Sequence, residues 1–205
     1  MAESILGAWW ERLRGRLRPR PCPYSLAAAL DMPGRRLVAG PRRVLDAFGV
    51  GPGLTVLEIG PGTGFYTLEA ARRVGSSGRL ICLDLQPEML LHARRRLEAS
   101  GLRAAFLRAD ARALPLGSET VDHVLLVTVL GEIPERASAL AEISRVLRKG
   151  GRLSVSEQFP DPDFVTTRTL RRELAAAGFV EKETRGWLFY TSTWVRASTA
   201  RGGAA

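Results

Sequence analysis

Apolar positions along this chain change their spacing repeatedly, and each change marks an element. Leu54, Val56, Leu57 and Ile59 form a short apolar run that stops at Gly60, Gly62 and Gly64. A run of that length, bounded by turn residues, predicts a buried strand. Phe65 to Val74 then predicts a helix, and Gly75 to Gly78 a turn. The pattern recurs. Arg79 to Asp84 is an apolar strand ending in an acid, and a helix runs from Gln86 to about Ser100, where Gly101 stops it. Leu102 to Arg108 and Val121 to Thr128 are the third and fourth strands. Ile133 to Leu147 is an amphipathic helix, and Arg148-Lys149-Gly150-Gly151 is its cationic end and glycine stop. Arg152 to Glu157 is a fifth strand, ending toward the rim of any pocket at that edge. Thr166 or Thr167 caps a last helix through Ala177, and strands follow from Gly178-Phe179 and over Gly186 to Ala197. Strands alternating with helices predict an α/β domain built on a largely parallel sheet.

The first 40 residues do not fit that alternation. Ile5, Leu6, Trp9, Trp10, Leu13 and Leu17 recur at helical spacing, with Arg12, Arg14, Arg16 and Arg18 around the stripe. A basic amphipathic helix with tryptophan on its apolar side suits a membrane interface. It equally suits docking on the domain, or closing a pocket as a lid; both readings stay open. Prolines at 19, 21 and 23 end the stripe. Tyr24 to Gly53 reads as two short helices, broken at Pro33-Gly34, with Pro41 opening the second. The chain thus divides into a helical N-terminal segment (1–40), one α/β domain (41–197) and a flexible tail (198–205).

Length and composition narrow the class. A chain of 205 residues fits one α/β domain with a decorated end. The net charge is +9, and lysine occurs only at 149 and 182, so nearly every cation is arginine. Genome composition explains that bias as well as attraction to an anionic partner does. No nucleic-acid-binding signature accompanies it, which disfavours nucleic acid as a partner. Cys22 and Cys82 have no metal or redox spacing, and no metal site is expected. With no secretory segment and no apolar run of spanning length, the expected location is cytoplasmic, with residues 3–18 the one candidate for peripheral contact at the inner membrane face.

The chemistry concentrates at the first glycine turn. Strand, glycine turn and helix are the parts from which an open α/β sheet makes a cofactor site. Glycines let a ligand approach the backbone, and the helix N-terminus presents free N–H groups. The spacing here is G-x-G-x-G, not the G-x-G-x-x-G of dinucleotide sites, and Glu58 precedes the first glycine. This stretch resembles motif I of the class I S-adenosylmethionine (SAM)-dependent methyltransferases, with Glu58 where the family usually has Asp and Pro61 where it often has Cys. Asp84 follows Gly64 by 20 residues and is similar to the family's second acid, which binds ribose hydroxyls. Ala109-Asp110-Ala111 resembles the adenine-binding turn, and Lys149-Gly150-Gly151 resembles the family's "LKPGG" turn with Lys149 in place of Pro. Within the family the pattern is most similar to the "type 11" group, which includes the ubiquinone/menaquinone C-methyltransferases.

The resemblance implies a seven-stranded Rossmann-like doubly wound sheet, mostly parallel with an antiparallel last strand and helices on both faces. It implies SAM as cofactor, held by Glu58, Gly60, Pro61, Gly62, Thr63, Gly64, Asp84, Leu85, Gln86, Asp110, Ala111, Val127 and Thr128. The reaction implied is methyl transfer by in-line displacement to a small-molecule or lipid-like acceptor. Donor sulfur and acceptor should meet at Thr128 to Glu132. Glu132 and Tyr24 are the candidates for a catalytic role, and by the same resemblance Arg35 and Arg36 join Tyr24 over the pocket. His123 lies at the start of its strand, away from the carboxyl ends where ligands bind, and is not expected to act as a base. Thr128-Val129-Leu130-Gly131 stands where many enzymes acting on nucleic acid or protein carry an Asn/Asp-Pro-Pro-Tyr/Phe motif, which disfavours a protein or RNA substrate. A SAM-binding subunit without activity and a dehydrogenase are the remaining alternatives, and the sequence does not fix the oligomeric state.

Overall fold

The computed structural model describes residues 40–197. Tyr24, Arg35, Arg36 and the amphipathic stretch 3–18 lie outside the described residues. The elements in order are α1 (Pro41–Phe48), β1 (Thr55–Ile59), α2 (Thr67–Val74), β2 (Arg79–Asp84), α3 (Pro87–Glu98), β3 (Ala105–Arg108), β4 (Val121–Val127), a 3₁₀ turn (Leu130–Glu132), α4 (Arg136–Val146), β5 (Leu147–Gln158), α5 (Thr167–Ala176), β6 (Phe179–Gly186) and β7 (Phe189–Arg196).

The seven strands form one sheet in the order β3-β2-β1-β4-β5-β7-β6. Neighbours from β3 to β5 are parallel, and β7 runs antiparallel to both β5 and β6. The expected sheet with its antiparallel last strand is the one observed. Strand order reverses between β1 and β4, so their carboxyl ends open a crevice at the switch point.

Alternation along the strands sorts the core into two layers. Leu57, Ile59, Ile81, Leu83, Val124 and Leu126 pack with Leu140 and Ile143 of α4 and with Leu170 and Leu174 of α5. Val56, Leu80, Cys82 and Leu125 pack on the other face with Val44, Leu45 and Phe48 of α1, Ala70, Ala71 and Val74 of α2, and Leu97 of α3. Burying such side chains on both faces is the main force holding the sheet. The connection from β3 to β4, residues 109–120, carries no helix and skirts the crevice.

Two local features depart from the expected elements. The helix expected from Ile133 starts late: residues 130–132 make a 3₁₀ turn, and α4 starts only at Arg136. β5 begins at Leu147, five residues before the expected start, because Leu147 pairs with Val121 while Arg152 pairs with His123. Residues 148–151 are therefore bulged out between the two pairs, with Gly150 at φ +72°. The expected cap of the last helix is present: Thr166 Oγ1 accepts the Thr169 N–H at 3.2 Å.

Candidate functional site

The crevice between β1 and β4 is a cleft lined by residues from the connections that follow β1, β2, β3, β4 and β5. The turn after β1 contributes Gly60, Pro61, Gly62, Thr63, Phe65 and Tyr66. The end of β2 and the start of α3 contribute Leu83, Asp84, Leu85, Gln86 and Met89. Ala109, Asp110, Ala111 and Arg112 follow β3, and Val127, Thr128, Val129, Glu132, Ile133 and Pro134 follow β4. Asp161 reaches in from the loop after β5.

The backbone of the glycine turn is held in place by neighbours. Gly60 N–H donates to the Leu83 carbonyl of β2 at 2.8 Å. Gly60 adopts φ +68°, and a Cβ there would lie 2.5 Å from Cγ2 of Val129. Only glycine lets the first turn and the segment after β4 come this close. Next to it the Thr63 hydroxyl is buried at the cleft wall and has no hydrogen-bond partner among the described residues. A buried hydroxyl in that state calls for a polar ligand atom or water.

Asp84 ends β2 beside this turn. Its Oδ1 accepts the Gln86 N–H at 2.9 Å. Burial raises its pKa above the ordinary carboxylate value, and the N–H groups of Gln86, Gly62 and Leu85 oppose that shift. The carboxylate keeps acceptor capacity for a pair of hydroxyl donors.

Asp110 is gripped by a neighbour two residues on. Arg112 Nε lies 3.1 Å from both carboxylate oxygens, its Nη2 2.8 Å from Oδ2, and its backbone N–H 2.8 Å from Oδ1. These bonds hold the Asp110 pKa below the usual range. The segment that follows is clipped to α4, where Glu142 accepts the Leu114 N–H and Arg145 donates to the carbonyls of Leu114 and Leu116.

At the end of β4, Thr128 has φ +53°, an unusual conformation for a β-branched residue. Its N–H donates to the Ser156 carbonyl at 2.8 Å, and its hydroxyl to the Val127 carbonyl at 2.7 Å. Gly131 follows, so tight against the 160s loop that a Cβ would come within 1.7 Å of the Asp163 carbonyl oxygen. Backbone strain of this kind gathers at functional turns.

Gly60, Pro61, Gly62, Thr63, Asp84, Leu85, Gln86, Asp110, Ala111, Val127 and Thr128 all line the cleft, as does Glu132. Glu58 and Gly64 do not. Strand alternation turns Glu58 away from the cleft, to the face covered by α2. There it is buried with its Oε2 3.9 Å from the Cys82 sulfur. Burial pushes its pKa up to about 7, assisted by the Asp84 charge and opposed by the Thr67 hydroxyl and the Cys82 thiol. Gly64 faces α3 instead: a Cβ on it would stand 3.0 Å from the Ala93 Cα. Glu157 also stays behind the wall. Its carboxyl accepts the backbone N–H groups of Leu130 and Gly131, its Oε1 has no partner among the described residues, and burial raises its pKa well above normal. His123 is fully buried, with Nε2 2.8 Å from Ser154 Oγ. Burial and then the Arg152 charge push its pKa down to about 3, so it is a neutral core residue. Phe65, Tyr66, Met89, Arg112, Ile133 and Asp161 are lining residues that sequence reasoning did not single out. Arg112 carried a readable signal, a cation two positions after a site carboxylate, whereas Asp161 reaches the cleft only through tertiary folding.

These features define a class: a doubly wound α/β protein with its cofactor-type cleft at the topological switch point. The comparisons narrow the class. The family described as "Methyltransferase domain" matches residues 56–151. The ubiquinone/menaquinone biosynthesis C-methyltransferase UbiE of Bordetella parapertussis is 37% identical over 139 residues, covering 65% of this chain and 54% of that protein. The protein of the same description from a Marinomonas species is 35% identical over 147 residues, covering 68% of this chain and 58% of that one. The chain thus spans little more than half the length of these relatives. A crystal structure of a SAM-dependent methyltransferase from Aquifex aeolicus superposes with a TM-score of 0.80 at 25% identity, covering 86% of this chain and all of that one. Residues 56–151 thus match a methyltransferase domain, and the chain is similar in sequence to C-methyltransferases and in fold to a SAM-dependent methyltransferase.

Proposed function

We propose that the chain binds SAM in the cleft and directs its methyl group to a ring carbon of a small, lipophilic, quinone-type acceptor. The observation that carries the cofactor assignment is the grouping of three features at the switch point: the close-packed glycine turn, the buried unpartnered Thr63 hydroxyl and the Asp84 carboxylate. These fit SAM part by part. Thr63 and the turn's N–H groups suit the amino-acid end, Asp84 the ribose hydroxyls, and Asp110 with Ala111 the adenine. When bound, SAM supplies a methyl group on a good leaving group, so the chain has mainly to position donor and acceptor.

The acceptor end is formed by Val129, Glu132 and Ile133 after β4, with Tyr66 opposite. Tyr66 is tied to the end of β5 by Gln158, whose Nε2 donates to its hydroxyl at 3.2 Å. Its apolar walls suit a ring, in keeping with the activity named for the relatives. Methylation at carbon requires the acceptor to lose a proton, and this reading assigns that step to Glu132, which lines the cleft after β4. With SAM and reduced quinone acceptors, Glu132→Gln is expected to lower turnover about tenfold or more while leaving SAM affinity within about twofold. Full turnover in that variant removes Glu132 from the reaction.

The same reading extends to residues 3–18, whose basic, tryptophan-bearing stripe supports peripheral contact with the membrane that holds lipophilic acceptors. No helix among the described residues is long and apolar enough to cross a membrane. Co-sedimentation with anionic liposomes, lost when residues 1–20 are deleted, is the expected result. Absence of co-sedimentation by the whole chain refutes the contact.

A further inference from the structure

The grip of Arg112 on Asp110 goes beyond an ordinary surface ion pair. A fork of guanidinium N–H groups meets both carboxylate oxygens while the Arg112 backbone N–H fixes one of them, so the carboxylate plane is set by four hydrogen bonds from one residue. Nη1 of the same guanidinium lies 3.5 Å from Oε1 of Glu135, in the turn before α4. Arg112 thus reaches from the connection after β3 to the segment after β4. Asp110 and Arg112 both line the cleft, along with Ile133 and Pro134.

We propose that Arg112 is a specificity-determining positioning residue, which holds Asp110 so that the cleft takes a 6-amino purine and rejects its 6-oxo counterpart. The inference rests on the assignment of the cleft to SAM and of Asp110 to the base. An ionised carboxylate only accepts hydrogen bonds. Three N–H groups of Arg112, with Nε shared between the two oxygens, take three of the four acceptor sites of the Asp110 carboxylate. The one acceptor site left faces a fixed direction and accepts from an exocyclic amine. An oxo group there sets two acceptors against each other, and a site built around a donor discriminates strongly against an analogue that lacks it. Lysine cannot replace this function, because a single ammonium does not hold both oxygens in plane.

The test uses the full chain and calorimetric affinities for two non-reacting ligands, S-adenosylhomocysteine and its deaminated form, S-inosylhomocysteine. The wild type is expected to prefer the amino ligand by about a hundredfold or more. Arg112→Ala and Arg112→Lys should each reduce that preference about tenfold, mostly by weakening the amino ligand. Asp84→Ala serves as the contrast: it should weaken both ligands and leave their ratio unchanged. Thermal melts confirm that the variants fold. An unchanged ratio in both Arg112 variants, with wild-type binding intact, overturns the inference and spares the SAM assignment. No binding of either ligand by the wild type overturns the SAM assignment, and the inference falls with it.

Discussion

Glu58 stands beside a cofactor-type turn yet turns its carboxyl into the core, and this has a measurable consequence. Its folded pKa is about 7 against an ordinary 4.5, so the native state holds a proton that the unfolded chain releases. The stability this gives is full below pH 4.5 and is lost as pH rises to about 7. Glu58→Gln removes the titration, so the variant should be more stable than the wild type at pH 8 by up to about 3 kcal/mol, and the difference should shrink steadily toward pH 4.5. Denaturant unfolding at several pH values checks this; a pH-independent difference contradicts it. Gly60 gives a second test. Gly60→Ala forces a Cβ against Val129 at positive φ and should cost about 1–3 kcal/mol, whereas Gly51→Ala, with nothing within 4 Å of its Cβ, should change stability by less than about 0.5 kcal/mol. The motif spacing made Asp84, Asp110 and the glycines legible as a site. It did not say which side of β1 Glu58 faces. The period of two along Val56, Leu57, Glu58 and Ile59 holds that information, because Ile59 lines the cleft and Glu58 lies on the opposite face.

At the scale of elements, apolar runs and glycine stops marked every strand and most helices. They failed where the backbone departs from regular pairing. The 148–151 bulge is invisible in the sequence because Leu147 reads as the end of a helix, and only its pairing with Val121 makes it strand. The 3₁₀ turn at Leu130–Glu132 was hidden by Pro134, which signals a helix start that is deferred to Arg136. The cap of α5 was legible and can be checked. Thr166→Ala deletes the acceptor for the Thr169 N–H and should cost about 1 kcal/mol, with Thr166→Ser restoring most of it. A loss below about 0.3 kcal/mol would mean that packing of Leu170 and Leu174 alone holds the helix.

At the scale of the whole molecule, one sheet gathers Asp84, Asp110 and the segment after β4 around one cleft because strand order reverses between β1 and β4. Residues that are distant in sequence, Tyr66, Arg112, Glu132 and Asp161, meet at that reversal, and no local pattern announces the meeting. The alternation of strands and helices carried the architecture, and the account of function depends on what the resulting crevice binds. Titration calorimetry of the full chain with SAM, then with NADH, and of Asp84→Ala with SAM tests this most directly. The account predicts saturable SAM binding at one site, no heat with NADH, and SAM affinity reduced at least tenfold in Asp84→Ala. Binding of NADH without SAM, or SAM binding indifferent to Asp84, would contradict it.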